Sequence, residues 1–309
     1  MTSCKAARGR CYSYVMTDCF SDVPGLFIGH AHDIGINTGV TLIVPHAPMV
    51  MAVDVRGGGP GTRETDALDP STLVERVHGL ALSGGSVFGL AAADELALCL
   101  SVAGKGLAIG DGLPMVPVVP AAILFDLTNG GDKAWGGEPP YRRLARAAFA
   151  ALGTGDTSGR VGAGHGAVAG SRLGGIGSAS ATLSSGHRIG ALIACNSFGE
   201  VYEGAPPEGA VPMPKRGRLD GLARQNTTIG AIATDAPLSR AQARRVAVMA
   251  HDGLARCIRP IHTPFDGDCL FVISTAPDTG AGSDPVMLTE IGTIAADLVA
   301  RAVRRAVFG

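Results

Sequence analysis

The chain has 309 residues, 46% of them hydrophobic and 17% charged, and a formal net charge of −1. That length can bury one large core or two small ones, the hydrophobic share excludes bulk disorder, and the scattered Lys and Arg offer no basic stripe for nucleic acid or membrane. The seven cysteines lack C-x-x-C zinc spacing, no apolar run approaches a span of about 20 residues, and no secretory signal is visible, so the expectation is a cytoplasmic protein with reduced thiols.

Residues 1–22 show no clear period and read as an N-terminal extension before a single domain, 23–309. Residues 41–45 and 51–56 are short, apolar and bounded by turn residues, which predicts strands. "DPSTLVERV" predicts a short helix capped by Ser71 or Thr72. A buried strand is expected over 79–83, then two glycines turning into a helix that runs to about Leu100. Residues 116–127 read as strand and "YRRLARAAFAAL" as an amphipathic helix. "HRIGALIACNSFGEVYEG" predicts a hairpin turning at Ser197–Gly199.

Residues 205–225 are rich in Pro, Gly and basic side chains and read as a linker. A strand over 227–234 follows, then a helix opened by Ser239 with Gln242 as its capping-box partner. A strand over 269–275 and a final helix over 285–307 complete the chain. The order is not a strict βαβ alternation. It predicts an α/β protein with sheets of mixed direction covered by helices.

Each candidate for chemistry has a plain alternative. "VRGGGPGTRETD" is rich in glycine but lacks the phosphate-loop lysine and the G-x-G-x-x-G spacing, so a tight structural loop is the better reading. "SGGSVFGL" places Gly84 and Gly85 before a helix, where free N–H groups can receive an anion, without forming a G-x-S-x-G elbow. Asp266 and Asp268 in "PFDGDCLF" are either a good turn or a carboxylate pair for proton transfer or a metal. Asn196 is either a turn former or an amide donor to an oxyanion. His165, His251 and His262 have no ligand-like spacing, and no metal is expected.

Taken together, "VRGGGPGTRETD", "LSGGSVFGL", "VPVVPAAILFDL", "GAGHGAV…GGIGSAS", "NTTIGAIATD" and "HTPFDGD" resemble, in order, the DmpA/P1 peptidases. This is family S58, the N-terminal-nucleophile-like hydrolases that include β-peptidyl aminopeptidases and nylon-oligomer hydrolases. The resemblance runs from about Gly25 to Thr275. It implies a four-layer α/β/β/α sandwich like that of ornithine acetyltransferase. It also implies self-cleavage between Asn226 and Thr227 into a large chain, 1–226, and a small chain, 227–309. The small chain would begin with its own nucleophile.

By the same resemblance Thr227 matches the nucleophile and Asn196 the oxyanion-stabilising asparagine. Asp266 and Asp268 match the pair that orients the nucleophile and its amine, and Gly84, Gly85 and Phe88 the wall facing the substrate. The freed α-amine, with an ordinary pKa of about 7.7–8.0, would be the general base. Four positions depart from the family pattern: Ser171 replaces a lysine, His165 a threonine, Cys269 follows "FDGD", and Phe88 replaces the tyrosine of nylon-oligomer hydrolases. The expected activity is an aminopeptidase on short peptides or amides, without cofactor. The expected assembly is a homo-oligomer, tetramer or larger, of processed heterodimers. The alternatives are an ornithine acetyltransferase-like acyl transferase, which "NTTI" disfavours, an endo-amidase of the nylon-oligomer type, and an inactive homologue.

Overall fold

Side-chain alternation along 227–234 sets the layering. Ile229, Ala231 and Ala233 join one hydrophobic cluster and Ile232 another, as the period of two demands of a strand covered on both faces. The computed structural model describes residues 17–153, 158–209, 211, 226–277 and 282–309.

In chain order the strands are β1 (Leu26–Asp33), β2 (Thr38–Pro45), β3 (Val50–Val55), β4 (Thr62–Arg63), β5 (Leu80–Ser83), β6 (Ala121–Ile123) and β7 (Val168–Ala169). They continue with β8 (Arg172–Leu173), β9 (Gly175–Thr182), β10 (Arg188–Asn196), β11 (Glu200–Val201), β12 (Thr227–Thr234), β13 (Ile258–Arg259) and β14 (Cys269–Ser274). One sheet has the order β1-β2-β5-β6-β4 and the other β3-β14-β12-β10-β9. Both mix directions: β5 with β6 and β12 with β14 are parallel, and the remaining pairs in these two sheets are antiparallel.

Helices α1 (Ala91–Val102) and α2 (Tyr141–Ala150) cover the first sheet through Val40, Leu42 and Ala81. Helices α3 (Arg240–Ala255) and α4 (Pro285–Phe308) cover the second through Ile193, Ile232 and Val272. Between the sheets lie Ile43, Leu82, Leu192, Ile229 and Phe271. The result is the four-layer α/β/β/α sandwich. Helix α3 starts on the expected reciprocal cap of Ser239 and Gln242, and Asp284 caps α4 through the N–H groups of Val286 and Met287.

Four expectations are corrected. Residues 69–77 form turns instead of a helix. Ser71 N–H and Oγ both donate to Asp69 Oδ1, and Arg240 Nη1 donates to the carbonyls of Asp69, Thr72 and Val74, which a helix would need for its own ladder. The strand read over 116–127 shrinks to β6, because Pro117 and Pro120 have no N–H to give a ladder. The hairpin at Ser197–Gly199 does not form. β11 pairs with β13, and the hairpin partner of β10 is β9, across residues 183–187. Finally, residues 17–22 are not a loose extension. Phe20 is fully buried and its N–H donates to Ser178 Oγ at 2.6 Å, while Asp18 accepts from Ser180 N–H and Arg301. Residues 1–16 and almost all of the linker after 209 lie outside the described residues.

Candidate active site

Thr227 and Asn196 are directly opposite each other in the antiparallel β10–β12 ladder. Opposed residues point to the same face with Cβ atoms about 4.5–5.5 Å apart. Asn196 follows Leu192 and Ala194 in phase, and Thr227 precedes Ile229 and Ala231, so both side chains face the space between the sheets. Both are almost fully buried.

A second backbone segment closes on this pair. Asn226 bridges Asp266 in parallel register, its N–H donates to Phe265 O at 3.1 Å, and Gly267 N–H donates to Asn226 O at 2.9 Å. The Asn226 amide donates to Ser197 O at 2.8 Å. On the other side of the Asn226–Thr227 bond, Thr228 N–H donates to Asp268 Oδ1 at 2.8 Å. The peptide expected to be cut is therefore anchored before and after the bond by the same Phe265–Asp268 turn.

The glycine loop is structural, as the plainer reading of it expects. Gly59 N–H donates to Asp266 O at 2.8 Å, Arg56 N–H to Asp268 O at 2.9 Å and Gly58 N–H to Thr263 O at 3.1 Å. A side chain on Gly57 would collide with the backbone of Asp266 and Asp268. The loop thus cradles the aspartate turn, and its glycines allow the close approach.

Both carboxylates are fully buried but differently satisfied. Asp266 accepts from Phe198 N–H at 3.2 Å, Thr263 N–H at 2.9 Å and Thr263 Oγ at 2.6 Å. Burial, and then the neighbouring Asp268 charge, push its pKa up from the ordinary carboxylate value. Asp268 uses its other oxygen for His262, accepting from the backbone N–H at 3.1 Å and lying 2.9 Å from Nδ1. His262 in turn meets the ring of His251 edge-on.

The raised Asp266 value has a consequence for stability. The folded state holds this proton more tightly than the unfolded chain does, so folding is favoured below the unfolded pKa. That advantage is lost as pH rises through the folded value. In an uncut Thr227→Ala background, Asp266→Asn should flatten this fall in melting temperature between about pH 4 and neutrality. An identical slope with and without Asp266 would show that the carboxyl is not held protonated by its site.

Asn196 is fixed by three partners. Its Oδ1 accepts from Val168 N–H at 2.9 Å and Asn129 Nδ2 at 3.1 Å, and its Nδ2 donates to Phe125 O at 3.0 Å. One amide N–H remains beyond the bond to Phe125. The next residue, Asp126, is buried, and its Oδ1 accepts from Gly85 N–H at 2.8 Å while Oδ2 accepts from Thr38 Oγ at 2.6 Å. Burial raises the Asp126 pKa, and half-burial lowers that of nearby Lys133. Gly84 and Gly85 thereby connect to Asn196 through Asp126 and Phe125. Side chains there would strike Asp126 and Tyr141 respectively, and Gly85 also has φ +88°. Phe88 is half exposed and meets Trp135 edge-on, and Trp135 in turn meets Tyr141, whose hydroxyl lies 3.3 Å from Thr38 Oγ. Ser171, at the family's lysine position, is exposed and donates to Glu200 Oε2 at 2.9 Å.

Sequence reasoning missed Gly267, His262, Thr263 and Asn129. His262, Thr263 and Gly267 sit within the quoted "HTPFDGD" block, in which the resemblance assigns roles only to the aspartates and His262 is weighed only as a metal ligand. Asn129 gave no local signal, since its role depends on bringing 129 beside 196. Among the described residues no group of three or more His, Cys, Asp or Glu is arranged to hold a metal ion, and no helix is long and apolar enough to cross a membrane.

Comparison with known proteins bears on the family and the fold. A protein of Mycobacterium tuberculosis named as an uncharacterized aminopeptidase is 41% identical over 320 residues, covering 92% of this chain and 91% of its own. The 6-aminohexanoate-oligomer endohydrolase of a Kocuria species is 29% identical, covering 92% and 84%. Among solved structures, a Burkholderia beta-aminopeptidase superposes with a TM-score of 0.72 at 24% identity, over 94% of this chain and 86% of that one. The L-aminopeptidase D-Ala-esterase/amidase of Ochrobactrum anthropi gives 0.71 at 21%, over 94% and 85%. At these identities the structures speak for the fold. The family model described as peptidase family S58 matches residues 18–309. The protein is a hydrolase of aminopeptidase type and belongs to peptidase family S58.

Proposed function

We propose that the chain cuts itself between Asn226 and Thr227 and then releases N-terminal residues from short peptides or amides. Thr227 Oγ is the nucleophile and the freed Thr227 amine its general base. Asn196 supplies an amide N–H to the oxyanion. Asp266 and Asp268 hold the hydroxyl and amine in one geometry. The observation that carries this reading is the anchoring of one peptide bond on both sides. The Phe265–Asp268 turn grips Asn226 and Thr228, and Asn196 stands opposite Thr227. The aminopeptidase names of the 41% relatives support the substrate class.

Cleavage gives the base its function. While Thr227 is in a peptide bond its nitrogen has no lone pair for a proton; as a free amine it does. Activity should therefore rise through an apparent pKa in the neutral-to-alkaline range. In this reading the working unit is a homo-oligomer of processed heterodimers in the cytoplasm, acting without cofactor. Neither nucleic acid nor membrane takes part.

A second reading, an endo-amidase, is favoured by the 29% identity to the 6-aminohexanoate-oligomer endohydrolases across 92% of the chain. L-aminoacyl-p-nitroanilides, internal amides of 6-aminohexanoate oligomers and N-acetylornithine separate the possibilities. Release of p-nitroaniline with the other two untouched supports the aminopeptidase. Turnover of blocked oligomers alone, or acetyl transfer from N-acetylornithine, contradicts it.

A further inference from the structure

The carbonyl that Thr227 must attack already has a hydrogen-bond donor, and it is not Asn196. Gly267 N–H donates to Asn226 O at 2.9 Å, whereas the Asn196 amide donates to Phe125 O. Gly267 also abuts the nucleophile. A Cβ placed on it would lie 2.7 Å from Thr227 Oγ and 3.2 Å from Thr227 Cγ2. The same residue thus presents its N–H to the scissile carbonyl and its bare Cα to the attacking hydroxyl. A side chain of any kind would displace that hydroxyl, which explains a glycine here at a position without positive φ.

We propose that Gly267 N–H is the oxyanion donor for self-cleavage, while Asn196 serves the later turnover of substrate. The inference rests on the self-cleavage reading above and assigns the two reactions at Thr227 to separate donors. In the first, a bond forms from Thr227 Oγ to the Asn226 carbonyl carbon, and the carbonyl oxygen becomes an oxyanion on the N–H that already holds it. Collapse breaks the bond to Thr227 N, and the proton lost by Oγ ends on that nitrogen. The product is an ester between Asn226 and Thr227 Oγ. Water then adds to the ester carbonyl and the ester bond breaks, leaving Asn226 as a carboxylate, with one proton of the water on Oγ and the other on the freed Thr227 amine.

The geometry gives a reason for two donors. Gly267 is fixed by its own neighbours: Asp266 carbonyl on Gly59 N–H, and Asp268 carboxylate on Thr228 N–H. Its N–H therefore needs no rearrangement as charge develops on Asn226 O, the condition under which such donors act most strongly. Asn196 stands across the ladder from Thr227 and keeps one amide N–H beyond its bond to Phe125 O, while Asn226 O already has its donor.

The test replaces Gly267 by glycolic acid through nonsense suppression in cell-free translation. This swaps the amide for an ester and removes the N–H without adding a side chain. Conversion to two chains is followed by intact mass after translation, beside wild type and Asn196→Ala. The expected result is wild type cut, the ester chain cut roughly 10²–10³-fold more slowly, and Asn196→Ala cut at near the wild-type rate but slow on aminoacyl-p-nitroanilides. An ester chain cut at the wild-type rate overturns the proposal. So does an Asn196→Ala chain that stays whole. A wild-type chain that never cuts would instead sink the self-cleavage reading beneath it. Should the ester chain fail to fold, uncut Thr227→Ala protein offers a second measurement. A through-hydrogen-bond coupling between Gly267 15N and Asn226 13C′ is expected there, and its absence overturns the proposal.

Discussion

Thr227→Ala is expected to remain a single chain of 31.2 kDa and to hydrolyse aminoacyl-p-nitroanilides no faster than buffer. The substitution removes the only hydroxyl that can begin the acyl shift, and with it the amine that cleavage would free. Ala still fits strand β12, where the neighbouring Ile229, Ala231 and Ala233 are already apolar and buried. Its melting temperature should therefore change little, which separates loss of chemistry from loss of fold. Thr227→Ser keeps a β-hydroxyl and should restore both cleavage and turnover. A Thr227→Ala protein that is cut at the same bond, or that hydrolyses substrate at a wild-type rate, would remove Thr227 from the mechanism.

Asn196→Ala is expected to lower kcat by roughly 10²–10³. The side chain's oxygen is held by Val168 N–H and Asn129 Nδ2, so its amide nitrogen cannot exchange places with it without breaking both bonds. That fixes an N–H donor opposite the nucleophile. The variant also weakens the fold, because Phe125 O and Val168 N–H lose the amide and Asn129 Nδ2 keeps only Gly166 O, so turnover is compared per folded molecule. Asn129→Ala provides the control. It removes one of the three bonds orienting Asn196 and should reduce kcat with less effect on KM, while Asn196→Ala loses more. Unchanged turnover in Asn196→Ala, alongside a dead Thr227→Ala, would make Asn196 a structural residue at the end of β10.

Much of the second sheet was legible because its strands are apolar on both faces and sharply bounded. Residues 227–234 and 269–275 stand out as buried runs next to turn residues, and Ser239 marks the start of α3. The failures share a physical origin, a partner distant in sequence. Residues 69–77 carry a helical signal of their own, but Arg240 takes three of their carbonyls from 166 or more positions away. Ser197–Gly199 is a good turn locally, yet Glu200 and Val201 find β13 and leave β10 to β9 and β12. Phe20 has no local pattern to declare it part of the core.

The candidate site divides in the same way. Asn196, Thr227, Asp266 and Asp268 were named from the family resemblance, and the structure brings these residues to one end of the β10–β12–β14 sheet. What the sequence alone could not express is how they are held. The pairing of Asn196 with Thr227 depends on register, the burial of Asp266 and Asp268 depends on the glycine loop closing over them, and His262 acts on Asp268 through a turn. Phe88 is linked to these residues through an aromatic group with Trp135 and Tyr141.

The account turns on one bond, so the most direct measurement is the intact mass of the purified wild-type protein with N-terminal sequencing of its fragments. Two chains are predicted, 1–226 and 227–309, the smaller beginning TTIGA, with hydrolysis of aminoacyl-p-nitroanilides appearing in step with their formation. A single 31.2 kDa chain that hydrolyses these substrates at full rate would contradict the account.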